Sequence, residues 1–225
     1  MDVGAARPDF LSTSASFRNR GWRVIAVEPN PEFYEMHKAM GHEVYAYACG
    51  DHDEDDASFS VVDSHQADYE GGKVSFESFS SLAIKDSYAA LNPALDVKKI
   101  QVKLRKLDTI LATHAEEVGE IDVLSVDVEG WELEVLDGLS FQKYKPKVLI
   151  VENLFNDVAY MDAMKAKGYT RWAHNHLNDV YVREGFQGTG VNRYWMPLIE
   201  KIIPLIKRAR PMRLIERIKE LFRND

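Results

Sequence analysis

Apolar residues gather in short blocks along the chain, and several blocks stop on a carboxylate. Val24 to Val27 runs into Glu28, Val123 to Val126 into Asp127, and Val148 to Val151 ends on Glu152. Blocks this short, rich in Val and Ile, suit strands buried on both faces. Between the last two blocks, Trp131, Leu133, Val135, Leu136 and Leu139 alternate with acids over a length suited to a helix, and Gly138 and Pro146 mark its end. Strand, helix, strand within about thirty residues predicts a right-handed βαβ crossover in a parallel sheet. Asp127 and Glu152 then sit at the carboxyl edge of that sheet, where open α/β folds bind ligands.

The rest of the chain continues the alternation. Val3 falls in a first strand at the start of the chain. A helix is expected over 12–20 with Leu11 and Phe17 inward, and Val24 to Val27 forms the second strand. Pro31 opens a helix from Glu32 to Met40, closed by Gly41, and Val44 to Ala48 forms a third strand. Phe59 to Val62 and Val74 to Phe76 predict an extra hairpin around Gly71-Gly72, with 63–72 placed to lie over the sheet edge. Ile100 to Leu104 reads as a strand and Leu107 to about Val118 as a helix stopped by Gly119. A helix over Asp157 to Lys167 ends at Gly168. Tyr169 to Ala173 and Asp179 to Arg183 form a closing hairpin.

These segments carry a family resemblance. Asp127-Val-Glu-Gly130, then Glu132-Leu-Glu-Val-Leu136, then Pro146-Lys-Val-Leu-Ile-Val-Glu152 is similar to the FkbM family of S-adenosylmethionine-dependent methyltransferases. Asp2-Val-Gly-Ala-Ala-Arg-Pro8 resembles that family's first cofactor motif, and Val24-Ile-Ala-Val-Glu-Pro-Asn-Pro31 its second strand and acidic turn. Ser80-Ser-Leu82 and Lys106-Leu-Asp-Thr-Ile110 resemble the middle of the domain. The resemblance covers about residues 2–183. It implies a Rossmann-like class I methyltransferase: a mainly parallel seven-stranded sheet, a final antiparallel strand and helices on both faces. It also implies S-adenosylmethionine as cofactor and O-methylation of a sugar or secondary-metabolite hydroxyl. The cofactor would be held by Asp2, Gly4, Ala5, Glu28, Gly50, Asp51 and Asp127, with Gly50 and Asp51 at the adenine. Similar enzymes carry helices before the first strand, so the N-terminal lid is expected to be missing, or the chain to be a fragment.

Composition narrows the classes. Apolar residues make up 45% of the 225, enough for a packed core. A single cysteine, Cys49, forms no internal disulfide and suits a reducing compartment, so a cytoplasmic protein is expected. The net charge of -8 is unevenly spread. Residues 193–225 hold nine basic and four acidic residues, +5, and the other 192 hold nineteen and thirty-two, -13. An acidic body argues against nucleic-acid binding. The expected organisation is a methyltransferase domain over 1–184, a Gly-rich linker over 185–192 and a basic tail over 193–225. In the tail, Trp195, Leu198, Ile199, Ile202 and Ile206 recur at helical spacing, as do Leu214, Ile215, Ile218, Leu221 and Phe222. Such helices cover either an anionic membrane, here the inner face, or protein: the acidic body or a second copy of the chain.

Candidate chemistry follows from the carboxylates. Glu28, closing its strand, is placed to accept both ribose hydroxyls of an adenosine. For a hydroxyl acceptor a general base or a metal lowers the barrier. Asp127, Glu152 and His174 are the candidate catalytic residues, with Glu129 and His176 nearby in sequence. The alternative for Asp127 and Glu129 is helix capping. Two histidines two residues apart are no diagnostic metal pattern, and no metal ligand set is assigned. Ser12 and Ser14 lack a triad partner, which disfavours hydrolysis. The missing Gly-x-Gly-x-x-Gly disfavours a dehydrogenase. A non-catalytic adenosine-ligand or partner-binding module on the same fold stands as the alternative to the enzyme.

Overall fold

In chain order the elements are β1 (Asp2–Val3), α1 (Ala15–Arg18), β2 (Ile25–Val27), α2 (Pro31–Ala39), β3 (Glu43–Tyr45), β4 (Ala48–Cys49), β5 (Glu54–Asp63), β6 (Asp68–Tyr69) and β7 (Gly72–Lys73). There follow β8 (Asp96–Arg105), α3 (Leu107–His114), β9 (Val123–Val126), α4 (Glu132–Asp137), α5 (Phe141–Tyr144), β10 (Val148–Glu152), α6 (Val158–Ala166), β11 (Tyr169–His174) and β12 (Asn178–Arg183). This computed structural model describes residues 1–9, 12–63, 68–69, 72–73, 80–82, 96–174 and 177–186.

Seven of the strands form one sheet in the order β3-β2-β1-β9-β10-β12-β11. The pairs β3/β2, β2/β1, β1/β9 and β9/β10 are parallel, and β12 runs antiparallel to both β10 and β11. The short Val- and Ile-rich blocks lie here because both faces of the sheet are covered. Ile25, Val27, Leu124 and Val126 join one core with Leu107, Ile110 and Leu111 of α3, Val135 and Leu136 of α4, and Met164 of α6. Alternate residues face the other way: Val24 and Val123 pack on Phe17 of α1, and Ala26 and Val44 on Tyr34 of α2. Capping follows the sequence at two helices. Asn30 Oδ1 accepts from the Glu32 amide at 3.0 Å, and Asp157 Oδ1 from the Ala159 amide at 2.9 Å.

Two expectations are corrected. Val44 to Ala48 is not one strand: β3 stays in the main sheet, and Ala48 begins β4, which belongs to a second, three-stranded sheet of order β4-β8-β5. Phe59 to Val62, whose expected partner 74–76 lies outside the described residues, is not a strand of the hairpin observed near Gly71-Gly72, which β6 and β7 form with Tyr69 opposite Gly72. It is part of β5, whose antiparallel partner is β8, with Phe59 opposite Ile100 and Ala57 opposite Val102. Val102 and Leu104 therefore belong to this second sheet. Strict alternation explains the misreading. Ile100, Val102 and Leu104 face Ala57 and Phe59, while Lys99, Gln101 and Lys103 face solvent. That is the pattern of a sheet covered on one side. The tail over 193–225, Leu11 and His176 all lie outside the described residues.

Candidate active site

The carboxyl ends of β1, β2 and β9 open onto a cleft of about 500 Å³, part of it continuous with solvent. Gly4, Ala6, Glu28 and Asp127 form its polar floor, while Phe33, Tyr47, Cys49, Phe59, Leu82 and Trp131 form its sides. The second sheet thus supplies one wall, through Cys49 of β4 and Phe59 of β5. Little in the local pattern of residues marks that wall. Its residues reach the cleft only through the pairing of strands distant in sequence.

The floor begins with the turn after β1. Gly4 has φ +74°, and a Cβ there would lie 1.8 Å from the backbone carbonyl oxygen of Asp127. The absence of a side chain here lets two loops of the protein meet. The amides of Gly4 and Ala5 both point to the Val27 carbonyl, at 3.0 and 3.3 Å. Ala6 follows with φ 45° and lines the cleft, whereas Ala5 is buried against Ala26 and Val44. Glu28 ties this turn to the next: its Oε2 accepts from the Ala6 amide at 2.8 Å and its Oε1 from the Asn30 amide at 2.8 Å. Only 4% of the residue is exposed. Burial pushes its pKa up to about 7 against the pull of those amides, and the charge of Asp2 adds to the rise.

The loop after β9 is held from behind. Glu132, fully buried, accepts with Oε1 from the Val128 amide at 3.2 Å and the Gly130 amide at 2.9 Å. Its Oε2 accepts from the Tyr160 hydroxyl at 2.6 Å. These bonds fold residues 127–130 back toward the sheet, with Glu129 at φ 58°, a left-handed conformation uncommon for a residue with a side chain. The capping reading of Asp127 and Glu129 is thereby corrected: α4 starts at Glu132, its N-cap is Trp131, and no side chain caps it. Glu132 was missed in the sequence. Its signal is an acid three and four residues before Val135 and Leu136, on the inward face of an amphipathic helix.

Asp127, Glu129 and Glu152 come together. One carboxylate oxygen from each lies within 4.8 Å of the other two. Glu129 and Glu152 are each 7% exposed, and Asp127 is half-buried at the cleft floor. Burial raises the pKa of Asp127 to about 7, with the charges of Glu132 and Asp2 behind it. Glu129 is raised well above the ordinary carboxylate range by burial, then by Asp127 and Glu132.

Other expected residues sit elsewhere. Asp2 is buried and accepts from the Ser14 hydroxyl, outside the set that lines the cleft. Gly50 is buried beside Gly138, where a Cβ on the latter would meet the Gly50 carbonyl at 2.1 Å. Asp51 lies on the surface, bound to His52 Nδ1 at 2.6 Å, not in the cleft. His174 Nδ1 is 2.8 Å from Oδ1 of the fully buried Asp179, which also receives the Tyr181 hydroxyl and the Asn153 amide. That network ties the end of β11 and the start of β12 to Asn153 after β10, and His174 is not among the cleft-lining residues.

A family model described as a methyltransferase FkbM domain matches residues 2–171. No curated protein and no solved structure matches the chain.

Proposed function

The chain belongs to the FkbM methyltransferase family, and on that premise we propose that it transfers a methyl group from S-adenosylmethionine to a hydroxyl of a sugar, glycan or secondary-metabolite acceptor. The observation that carries this reading is the convergence of Gly4, Glu28 and Asp127 on one cleft at the carboxyl edge of the parallel sheet. The strand order, with its single antiparallel strand inserted next to the edge, supports a Rossmann-like class I assignment.

The residues present fit the cofactor. Each oxygen of Glu28 accepts one backbone amide and retains a lone pair, so the carboxylate is placed to take two ribose hydroxyls as well. Phe33, Tyr47, Phe59 and Leu82 offer apolar and aromatic surface to a purine ring. Asp127 faces the methionine part. When bound, the cofactor supplies an activated methyl group on a sulfonium, whose leaving group needs no help. The chain's share is therefore proximity and alignment, together with a carboxylate near the acceptor hydroxyl to take its proton. The basic tail is read as a contact with an anionic surface that carries the acceptor. The test is to incubate the full chain with methyl-labelled S-adenosylmethionine and a panel of hydroxylated sugars and small metabolites. Labelled methyl ether in the product supports the reading. Label only on nitrogen, or bound cofactor with no transfer to any acceptor, contradicts it.

A further inference from the structure

Glu129 presents an anomaly that methyl transfer does not need. Only 7% of the residue is exposed, and its Oε2 has no hydrogen-bond partner among the described residues. An orphaned carboxylate oxygen is costly in a folded interior. Its charge lies beside those of Asp127 and Glu152, within 4.8 Å. A single hard divalent cation would offset the three charges together and give the orphaned Glu129 oxygen a partner. Such an ion sits about 2.0–2.6 Å from each oxygen ligand, which places ligand oxygens no more than roughly 4–5 Å apart. The observed spacing falls within that limit. The donor set is oxygen only, with neither thiolate nor imidazole, which selects Mg²⁺, Mn²⁺ or Ca²⁺ over Zn²⁺ or Cu²⁺.

We infer that Asp127, Glu129 and Glu152 form a binding site for one hard divalent cation at the base of the cleft. Glu132 is the positioning residue: it anchors the amides of Val128 and Gly130 on either side of Glu129 and so keeps that carboxylate turned to its neighbours. Three carboxylates leave coordination positions for other oxygens, and Asp127 links the site to the cleft. The role in catalysis rests on the function proposed above; the site itself does not. In that role the acceptor hydroxyl binds the ion, which lowers its pKa. The acceptor oxygen then bonds to the methyl carbon, and the carbon–sulfur bond breaks with its electron pair left on sulfur. The hydroxyl proton passes to a cluster carboxylate oxygen not bound to the ion.

Metal binding is measured without cofactor or acceptor. The full chain, stripped with chelator, is titrated with Mn²⁺ while the electron paramagnetic resonance signal of free Mn²⁺ is followed, and Mg²⁺ is then added in competition. The expected result is one saturable Mn²⁺ per chain, displaced by Mg²⁺, with affinity lowered at least tenfold in both Glu129→Gln and Glu152→Gln. Circular dichroism confirms that each variant is folded, and either one suffices if the other is not. Asp56→Asn, at an exposed acid of β5, should bind as the wild type does. The inference is overturned by absence of saturable Mn²⁺ binding, by unchanged affinity in a folded Glu129→Gln, or by loss of binding in Asp56→Asn. Calorimetric titration of the same samples with S-adenosylhomocysteine keeps the two questions apart, since a chain that binds the nucleoside but not Mn²⁺ retains its proposed function and loses only the ion.

Discussion

The Cα of Gly4 and the backbone carbonyl of Asp127 leave no room for a side chain between them: a Cβ on Gly4 would lie 1.8 Å from that oxygen. Two loops that must both reach the cleft, one after β1 and one after β9, are thus packed backbone to backbone. The positive φ of Gly4 adds a conformational demand to the steric one.

Replacement of Gly4 by Ala is therefore expected to destabilise the protein by at least about 2 kcal/mol, since neither the φ nor the space suits a Cβ. Urea unfolding of the variant measures this. A loss below about 0.5 kcal/mol, the usual scale of a neutral surface change, would show that the two loops separate freely.

Glu132 provides a second test. Glu132→Ala leaves the amides of Val128 and Gly130 without their acceptor and the Tyr160 hydroxyl without its partner. The expected cost is about 3 kcal/mol, against about 1 kcal/mol for Tyr160→Phe, which removes a single bond. Equal losses from the two substitutions would mean that the backbone amides find water instead.

How far these features were legible varies with their origin. The parallel core was visible because Val24 to Val27, Val123 to Val126 and Val148 to Val151 are apolar blocks closed by acids, and being buried on both faces leaves that mark locally. Glu28 and Asp127 are legible at the cleft for the same reason, as each directly follows its strand, whereas Gly4 is named through the family resemblance. The second sheet was misassigned because its register joins Phe59 to Ile100 across forty residues, and no local pattern encodes a partner. Asp51 was placed at the adenine by resemblance alone, and its own neighbour His52 draws it to the surface. Glu129 was seen only as one of several acids. What sets it apart, an oxygen without a partner among the described residues, exists only once Glu132 has folded the loop.

Stability should also carry the signature of Glu28. Its folded pKa, about 7, stands above its ordinary value of 4.5, so the native state holds the proton between those limits while the unfolded chain has lost it. The stabilisation present in acid is therefore lost as pH rises from about 4.5 through about 7. Asp2 is the neighbouring charge that adds to the shift. Thermal unfolding of the cofactor-free protein across this range should show the decline, to which Asp127 and Glu129, also raised by burial, add, and Glu28→Gln should make it shallower. The glutamine offers one acceptor to two converging amides, so its absolute stability falls, and the slope is what decides. An unchanged slope would place the titration elsewhere.

For the tail, the +5 charge of residues 193–225 beside a body of -13 sets the expectation. Full-length protein should sediment with anionic liposomes and release with added salt, since each basic residue near such a surface contributes about 1 kcal/mol that salt screens. Truncation after Gly190 should abolish sedimentation and leave cofactor binding intact. A truncated protein that instead changes its oligomeric state would assign the tail to protein contact.

Calorimetric titration with S-adenosylhomocysteine, with NAD as the control ligand, tests the central claim most directly. The account predicts one site per chain for S-adenosylhomocysteine and none for NAD. It also predicts that Glu28→Gln weakens that site by about 1–3 kcal/mol through lost charge-assisted hydrogen bonds to the ribose. No heat of binding with the wild-type chain, or equal affinity in a folded Glu28→Gln, would contradict it.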